Sequence, residues 1–173
     1  ALAAGRVFGQ TANASQRVVI VGGGWGGLAA ASRLRALAPG LEVVLVERET
    51  GFRSLPLSNA WLVGWRAAPP PRRELAALAT ARGWRFLQAE VTAIDRDRRR
   101  VLTSAGELGY DWLVLATGIA YDYAPWLGDD ARAIEATRRL YPAGFIAGEL
   151  DALQHKLAAF RGGELLMTVP PGP

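Results

Sequence analysis

The chain of 173 residues contains no cysteine, which excludes disulfides, cysteine-ligated zinc and thiol catalysis within it. It has a single histidine, His155, so a Ser-His-Asp triad has little to build on. His155 falls in an amphipathic stretch, where a surface or groove position is expected of it. Long apolar runs are also missing, so no membrane span is expected even though half of the residues are hydrophobic. Lysine occurs once, at Lys156, and the net charge of +4 is carried by scattered arginines. Their one cluster, Asp95-Arg96-Asp97-Arg98-Arg99-Arg100, alternates with acids between two strand-like pieces. It is expected to be a solvated hairpin turn and not a nucleic-acid patch. The only methionine is Met167. The small, apolar opening Ala1-Leu2-Ala3-Ala4-Gly5 leads to Thr11-Ala12-Asn13-Ala14, which fits an A-x-A-type cleavage site before Ser15. Residues 1–14 are therefore expected to be the remnant of an export signal, with an ordinary N-terminal extension as the alternative.

What is present is concentrated near the start. Arg17-Val18-Val19-Ile20-Val21 reads as a buried strand running into Gly22-Gly23-Gly24-Trp25-Gly26-Gly27, followed by an Ala/Leu-rich helix over 28–37. Strand, G-x-G-x-x-G and helix in that order form the dinucleotide-binding fingerprint. Gly22 permits the turn, Gly24 lets a diphosphate approach the backbone, and Gly27 lets the helix pack on the sheet. The N–H groups near Trp25 and Gly26 at the helix start would hold the phosphates. Pro39-Gly40 stops the helix, and a second strand, Leu41 to Val46, closes on Glu47. An acid about 20 residues beyond the glycines suits a ribose 2′-hydroxyl and argues against a 2′-phosphate, a point that the neighbouring Arg48 weakens.

Further along, a short helix is expected over 59–64, a helix over 73–79 after Pro69-Pro70-Pro71, and a strand over 84–90. The segments 91–94, 100–103 and 107–110 read as an antiparallel meander. A buried strand over 111–116 then stops at Ala116-Thr117-Gly118. By itself that ending is as readily a plain turn. Paired with the first glycines, it brings a small residue and a glycine to the strand-end crevice where ligands collect in open α/β sheets. A helix is expected over 148–160 and a strand over 164–169. Residues 15–161 form one expected domain, and 162–173 the first strand of a second.

The order glycine turn, Glu47, Leu57-Ser58-Asn59, meander, Gly109-Tyr110-Asp111, Ala116-Thr117-Gly118 resembles the FAD-binding half of the glutathione-reductase-like flavoproteins. Within that superfamily the chain is most similar to the flavoprotein subunit of flavocytochrome c sulfide dehydrogenase. Leu57-Ser58-Asn59, Tyr110-Asp111, Pro142-Ala143-Gly144 and Val169-Pro170-Pro171 are the closest points. The resemblance implies an α/β, Rossmann-like FAD-binding domain with a parallel sheet and an inserted antiparallel meander, truncated before a second dinucleotide-binding-like domain. It implies FAD on Gly22, Gly24, Trp25, Gly26, Gly27 and Glu47, adenine near Val91, the diphosphate and ribityl chain near Ala116, Thr117 and Gly118, and the isoalloxazine near Ser58 and Asn59. It implies periplasmic sulfide oxidation with electrons passed to a c-type cytochrome subunit. Export with cofactor bound would favour the twin-arginine route, although no twin arginine is visible. Family members that tether the flavin use a cysteine at the place of Leu55, so FAD is expected to be held here without a covalent bond. Two other readings stay open: a quinone-linked sulfide or NADH dehydrogenase, and a cofactor-binding segment without catalysis of its own.

Overall fold

The computed structural model describes Val7–Phe8 and residues 16–144, 146 and 148–166. In chain order the elements are β1 (Val7–Phe8), β2 (Arg17–Val21), α1 (Trp25–Leu37), β3 (Glu42–Glu47), β4 (Gly51–Arg53), a 3-10 turn (Leu55–Leu57), α2 (Ser58–Leu62), β5 (Arg72–Glu74), α3 (Leu75–Arg82) and β6 (Arg85–Gln88). Then follow β7 (Val91–Asp95), β8 (Arg100–Thr103), β9 (Gly106–Gly109), β10 (Trp112–Leu115), α4 (Ala124–Leu127), α5 (Ala131–Leu140) and α6 (Leu150–Ala159). They fall into two compact units, Ala1–Phe52 with Arg72–Gly118, and Arg53–Pro71 with Ile119–Pro173.

The first unit is layered around a four-stranded parallel sheet of order β10-β2-β3-β6. Every residue of β2 is buried, as expected of a strand covered on both faces. Alternation along the strands splits the core in two. Val18, Ile20, Val43 and Leu45 face Ala31 of α1 and Leu75 and Ala79 of α3. Val19, Val21, Val44 and Val46 face Val101 of β8 and Leu108 of β9. The meander supplies that second cover, since β7, β8 and β9 pair antiparallel as the sequence predicts. Its arginine-rich connection is the exposed hairpin turn expected, closed by the Arg98 N–H donating to Asp95 Oδ1 at 2.9 Å. β1 adds to this sheet, parallel to β9, so the segment read as an export remnant contains residues paired with Glu107 and Leu108.

At the N-terminal ends of the parallel strands a charged clamp joins distant segments. Arg17 is buried; its backbone N–H donates to Asp111 Oδ2 at 2.6 Å and its Nε to Glu42 Oε2 at 2.7 Å. Arg85 pairs with the other oxygen of Glu42. Burial pushes the Glu42 carboxyl up, but the hydrogen bonds and charges of Arg17 and Arg85 outweigh it and hold the group below its ordinary value.

Local boundaries follow from capping chemistry. α1 stops ahead of Pro39, and Arg35 Nη1 closes the turn by donating to the Pro39 and Leu41 carbonyls at 2.7 and 2.8 Å. The helix expected over 73–79 begins later, at Leu75. Residues 72–74 are extended instead, because Arg72 Nη2 donates to Thr50 Oγ1 at 2.6 Å and the Leu75 N–H to the Thr50 carbonyl at 2.9 Å.

The second unit is helical, and the sequence foretold only part of it. α6 lies within the expected 148–160 segment, and α2 starts at Ser58. α4 and α5 were not foreseen. Asp130 caps α5 by accepting from the Ala133 N–H at 2.9 Å, and Arg138 and Arg139 occupy its last turn, where cations suit the helix dipole. Glu149 is buried and accepts from Arg138 Nε at 3.1 Å and the Ala143 N–H at 2.8 Å. Burial, and then the Glu149 charge, push the Tyr123 hydroxyl up. Of the strand expected over 164–169, residues 164–166 are not in a strand, and 167–173 lie outside the described residues. No helix among the described residues is long and apolar enough to cross a membrane.

Candidate cofactor-binding site

The chain runs from β2 outward through β3 to β6, then returns to place β10 on the other side of β2. The C-terminal ends of β2 and β10 therefore flank a topological switch point, where open α/β sheets bind ligands. Gly22 follows β2 there, and Ala116 follows β10. The Gly22 N–H donates to the Val46 carbonyl at 2.9 Å, and the Ala116 N–H to the Val21 carbonyl at 2.8 Å.

The glycines of the turn differ in what they do. Gly22 has φ of +111°, and a methyl group built on it would lie 2.2 Å from the Ala116 carbonyl oxygen. Both conformation and space demand glycine there. A methyl on Gly27 would lie 1.8 Å from the Gly22 carbonyl oxygen, so Gly27 is what lets α1 begin so close to the turn. On Gly23 it would meet Glu47 Cγ at 2.7 Å and Leu75 Cδ1 at 2.9 Å. On Gly26 it would touch only the Ala116 methyl, at 3.6 Å. Gly24 is the exception, with φ of −79° and nothing within 4 Å of the place a methyl would take. The fold itself does not need glycine at 24; the open space over it is what a close-approaching ligand needs.

Gly24 also caps α1, which has no side-chain cap and no acid in its first turn. The first-turn N–H groups, from Trp25 onward, have no intrahelical acceptor and lie at the positive end of the helix dipole. Trp25 is 58% exposed and packs edge-on against Phe52, with ring centroids 5.3 Å apart. Phe52 carried no signal in the sequence, since a lone aromatic in a loop reads as nothing in particular.

Glu47 closes the other side. Its Oε2 accepts from the Gly23 N–H at 2.7 Å and its Oε1 from the Glu49 N–H at 3.0 Å. Each carboxylate oxygen keeps a second lone pair, so a ribose hydroxyl can still be received. Arg48 is exposed and reaches toward Glu49, at 3.9 Å. The Ala89 N–H donates to the Glu47 carbonyl at 3.1 Å, and Val91, two residues on, opens β7 and packs against the apolar cluster that includes Val46. Thr117 is exposed, and Gly118, with φ of +75°, also has open space on its Cβ side. The first unit thus brings Gly22, Gly24, Trp25, Gly26, Gly27, Glu47, Val91, Ala116, Thr117 and Gly118 to one edge of its parallel sheet. An uncapped helix start, a bare glycine and a carboxylate fit a dinucleotide diphosphate with its adjoining ribose.

Ser58 and Asn59 belong to the second unit. Ser58 is the first residue of α2, and its Oγ donates backward to the Leu55 carbonyl at 2.6 Å, closing the 3-10 turn; it does not cap the helix that follows. Asn59 is exposed.

The profile of the pyridine nucleotide-disulphide oxidoreductases matches residues 16–154. Among curated proteins, the sulfide-quinone reductase of Aquifex aeolicus is 35% identical over 105 residues, covering 60% of this chain and 24% of the relative. The flavoprotein chain of the flavocytochrome c sulfide dehydrogenase of Chlorobaculum thiosulfatiphilum is 52% identical over 46 residues, 27% of this chain and 96% of that sequence. Among solved structures, the sulfide:quinone oxidoreductase of Aquifex aeolicus superposes with a TM-score of 0.66 at 28% identity, covering 83% of this chain and 32% of that one. The chain spans about a quarter of the length of several curated relatives it matches. The match to flavoproteins implies a flavin cofactor. A dinucleotide cradle at the switch point, the helix–sheet–meander layering and a profile match over most of the chain agree, and the chain belongs to the pyridine nucleotide-disulphide oxidoreductase family.

Proposed function

We propose that the chain is the FAD-holding part of a flavoprotein that oxidises sulfide and passes the electrons to a c-type cytochrome subunit. The observation that carries the cofactor half is Gly24, a glycine the fold does not require, set at an uncapped helix start. Gly22, Gly24 and Gly27, with the N–H groups of Trp25 and Gly26, hold the diphosphate. Glu47 receives the adenosine ribose, and the backbone at Val91 meets the adenine. Ala116, Thr117 and Gly118 flank the diphosphate and ribityl chain, while Ser58 and Asn59 serve the isoalloxazine. Leu55 offers no thiol, so the flavin is held non-covalently. When bound, FAD accepts an electron pair and can release electrons one at a time, which suits a two-electron donor facing a one-electron haem. No cysteine lies within these 173 residues, so any redox disulfide belongs to other parts of the protein, and the segment alone is inactive.

Sulfide as donor is supported by the two sulfide-oxidising relatives, and a cytochrome acceptor by the 52% identity to the flavoprotein chain of a flavocytochrome c. A cytochrome acceptor goes with the periplasmic location and export proposed from residues 1–14. The similarity to a sulfide:quinone oxidoreductase over 83% of the chain favours the second reading, a quinone acceptor.

The deciding experiment reduces the full-length flavoprotein with sulfide and offers it cytochrome c or a soluble quinone in parallel. Fast cytochrome reduction with a slow quinone reaction is expected. The reverse preference would replace the cytochrome with a quinone, and no bleaching of the flavin by sulfide would remove sulfide as the donor.

A further inference from the structure

We infer that the indole ring of Trp25 covers the diphosphate of the bound cofactor and shuts water away from it, an inference that rests on the flavin reading above. Trp25 is the first residue of α1, and it is 58% exposed. Helical side chains lean toward the N-terminus of their helix. A side chain at the first position therefore reaches over the space ahead of the helix. That is the space into which the free N–H groups point and in which Gly24 leaves room for a ligand.

The ring is braced where it stands. Phe52 meets it with centroids 5.3 Å apart and planes at 85°, and Phe52 is itself half-buried against the cluster of Ile20, Leu45 and Leu75. The chain ahead of Phe52 is tied down in turn, since the Leu75 N–H donates to the Thr50 carbonyl at 2.9 Å and Arg72 Nη2 to Thr50 Oγ1 at 2.6 Å. Glu47 precedes Phe52 in the same connection and accepts from the Gly23 N–H. The aromatic pair thus stands at the strand edge that carries the glycine turn and the acid, all within the first unit. The other exposed tryptophan of that unit, Trp112, opens β10 at the opposite end of the strands. Packing on Phe52 covers part of Trp25 and leaves more than half of it to solvent. A diphosphate resting on N–H groups is held by charge, and such attraction strengthens where water and salt are kept out. A braced apolar ring over the helix start supplies that exclusion.

The test uses the full-length protein, deflavinated, as wild type, Trp25→Ala and Trp25→Phe. Each is titrated with FAD and with ADP, which has the diphosphate and ribose but no flavin, at low and at high salt, and each is melted without ligand. Trp25→Ala is expected to bind both ligands about tenfold more weakly, the loss of one large apolar contact. Its affinity should also fall more steeply with salt than that of wild type, while its melting temperature stays close. Trp25→Phe, which keeps an aromatic cover, should recover most of both. A Trp25→Ala protein that matches wild type in affinity and salt dependence would overturn the inference. A loss for FAD with none for ADP would do so too, by moving the ring off the diphosphate. Weaker binding that comes with a lower melting temperature and an unchanged salt dependence would make Trp25 a structural residue only. A wild type that takes up neither FAD nor ADP is a separate result, and it sinks the flavin reading on which the inference stands.

Discussion

Gly22 and Ala116 meet at the ends of β2 and β10 so closely that a methyl group on Gly22 would lie 2.2 Å from the Ala116 carbonyl oxygen. Residues far apart in the chain thereby fix one wall of the dinucleotide cradle by backbone contact alone. Across the turn, Gly24 has open space where Gly22 has none.

This difference predicts opposite behaviour for two alanine substitutions. Gly22→Ala combines a positive φ with a backbone clash and should destabilise the protein by about 2–4 kcal/mol. Gly24→Ala should leave the melting temperature close to wild type while weakening FAD binding at least tenfold, since a methyl would stand where the diphosphate approaches. Thermal melts and FAD titrations of both variants separate the two effects. A Gly24→Ala protein with wild-type FAD affinity would remove the diphosphate from this turn.

Glu47 shapes the turn and, in the proposed site, receives the ribose. Glu47→Gln keeps the size but sets an amide, or a weaker neutral acceptor, against the Gly23 N–H. The expected outcome is a loss of about 1–2 kcal/mol in FAD affinity with a smaller loss of stability, because charge-assisted hydrogen bonds are the stronger ones. Isothermal titration of the deflavinated protein checks it; an unchanged affinity would leave Glu47 a purely structural residue.

The Arg17–Glu42–Arg85 clamp predicts an acid-sensitive fold. The Glu42 carboxyl lies below its ordinary value of 4.5 in the folded chain. Its stabilisation is thus fully present above that value and disappears as pH falls through the lower folded one. Glu42→Gln should lower stability at neutral pH and flatten the decline in melting temperature below pH 4.5. Equal acid slopes for variant and wild type would contradict the clamp.

Leu55 predicts how the flavin leaves. Acid precipitation of the full-length yellow protein should release all of the colour into the supernatant. Colour retained in the pellet would mean a covalent attachment through another residue.

The continuous apolar run Val18 to Val21, the Pro39-Gly40 stop and the closing Glu47 wrote the strand–turn–helix–strand unit into local sequence, because each signal acts on its immediate neighbours. The three hairpin-linked strands and the solvated arginine turn were legible for the same reason. α5 was not foreseen although its polar and apolar residues segregate onto separate faces: half of its ten residues are polar, none is buried, and Asp130 caps it. The motif gave Gly22, Gly24 and Gly27 their separate roles, but it did not show that the close neighbour of Gly22 is Ala116.

Sequence by itself determined the strand–turn–helix–strand unit and the meander, and it supplied residue types that suit a diphosphate and a ribose, with no thiol. Tertiary structure alone decided the strand order β10-β2-β3-β6, the contact of Gly22 with Ala116, and the charge clamp joining Arg17, Glu42 and Arg85. The physical reason is range. Turn and helix signals are settled by neighbours within a few residues, whereas the partner of a buried charge or of a bare backbone is chosen only when distant strands pack against one another.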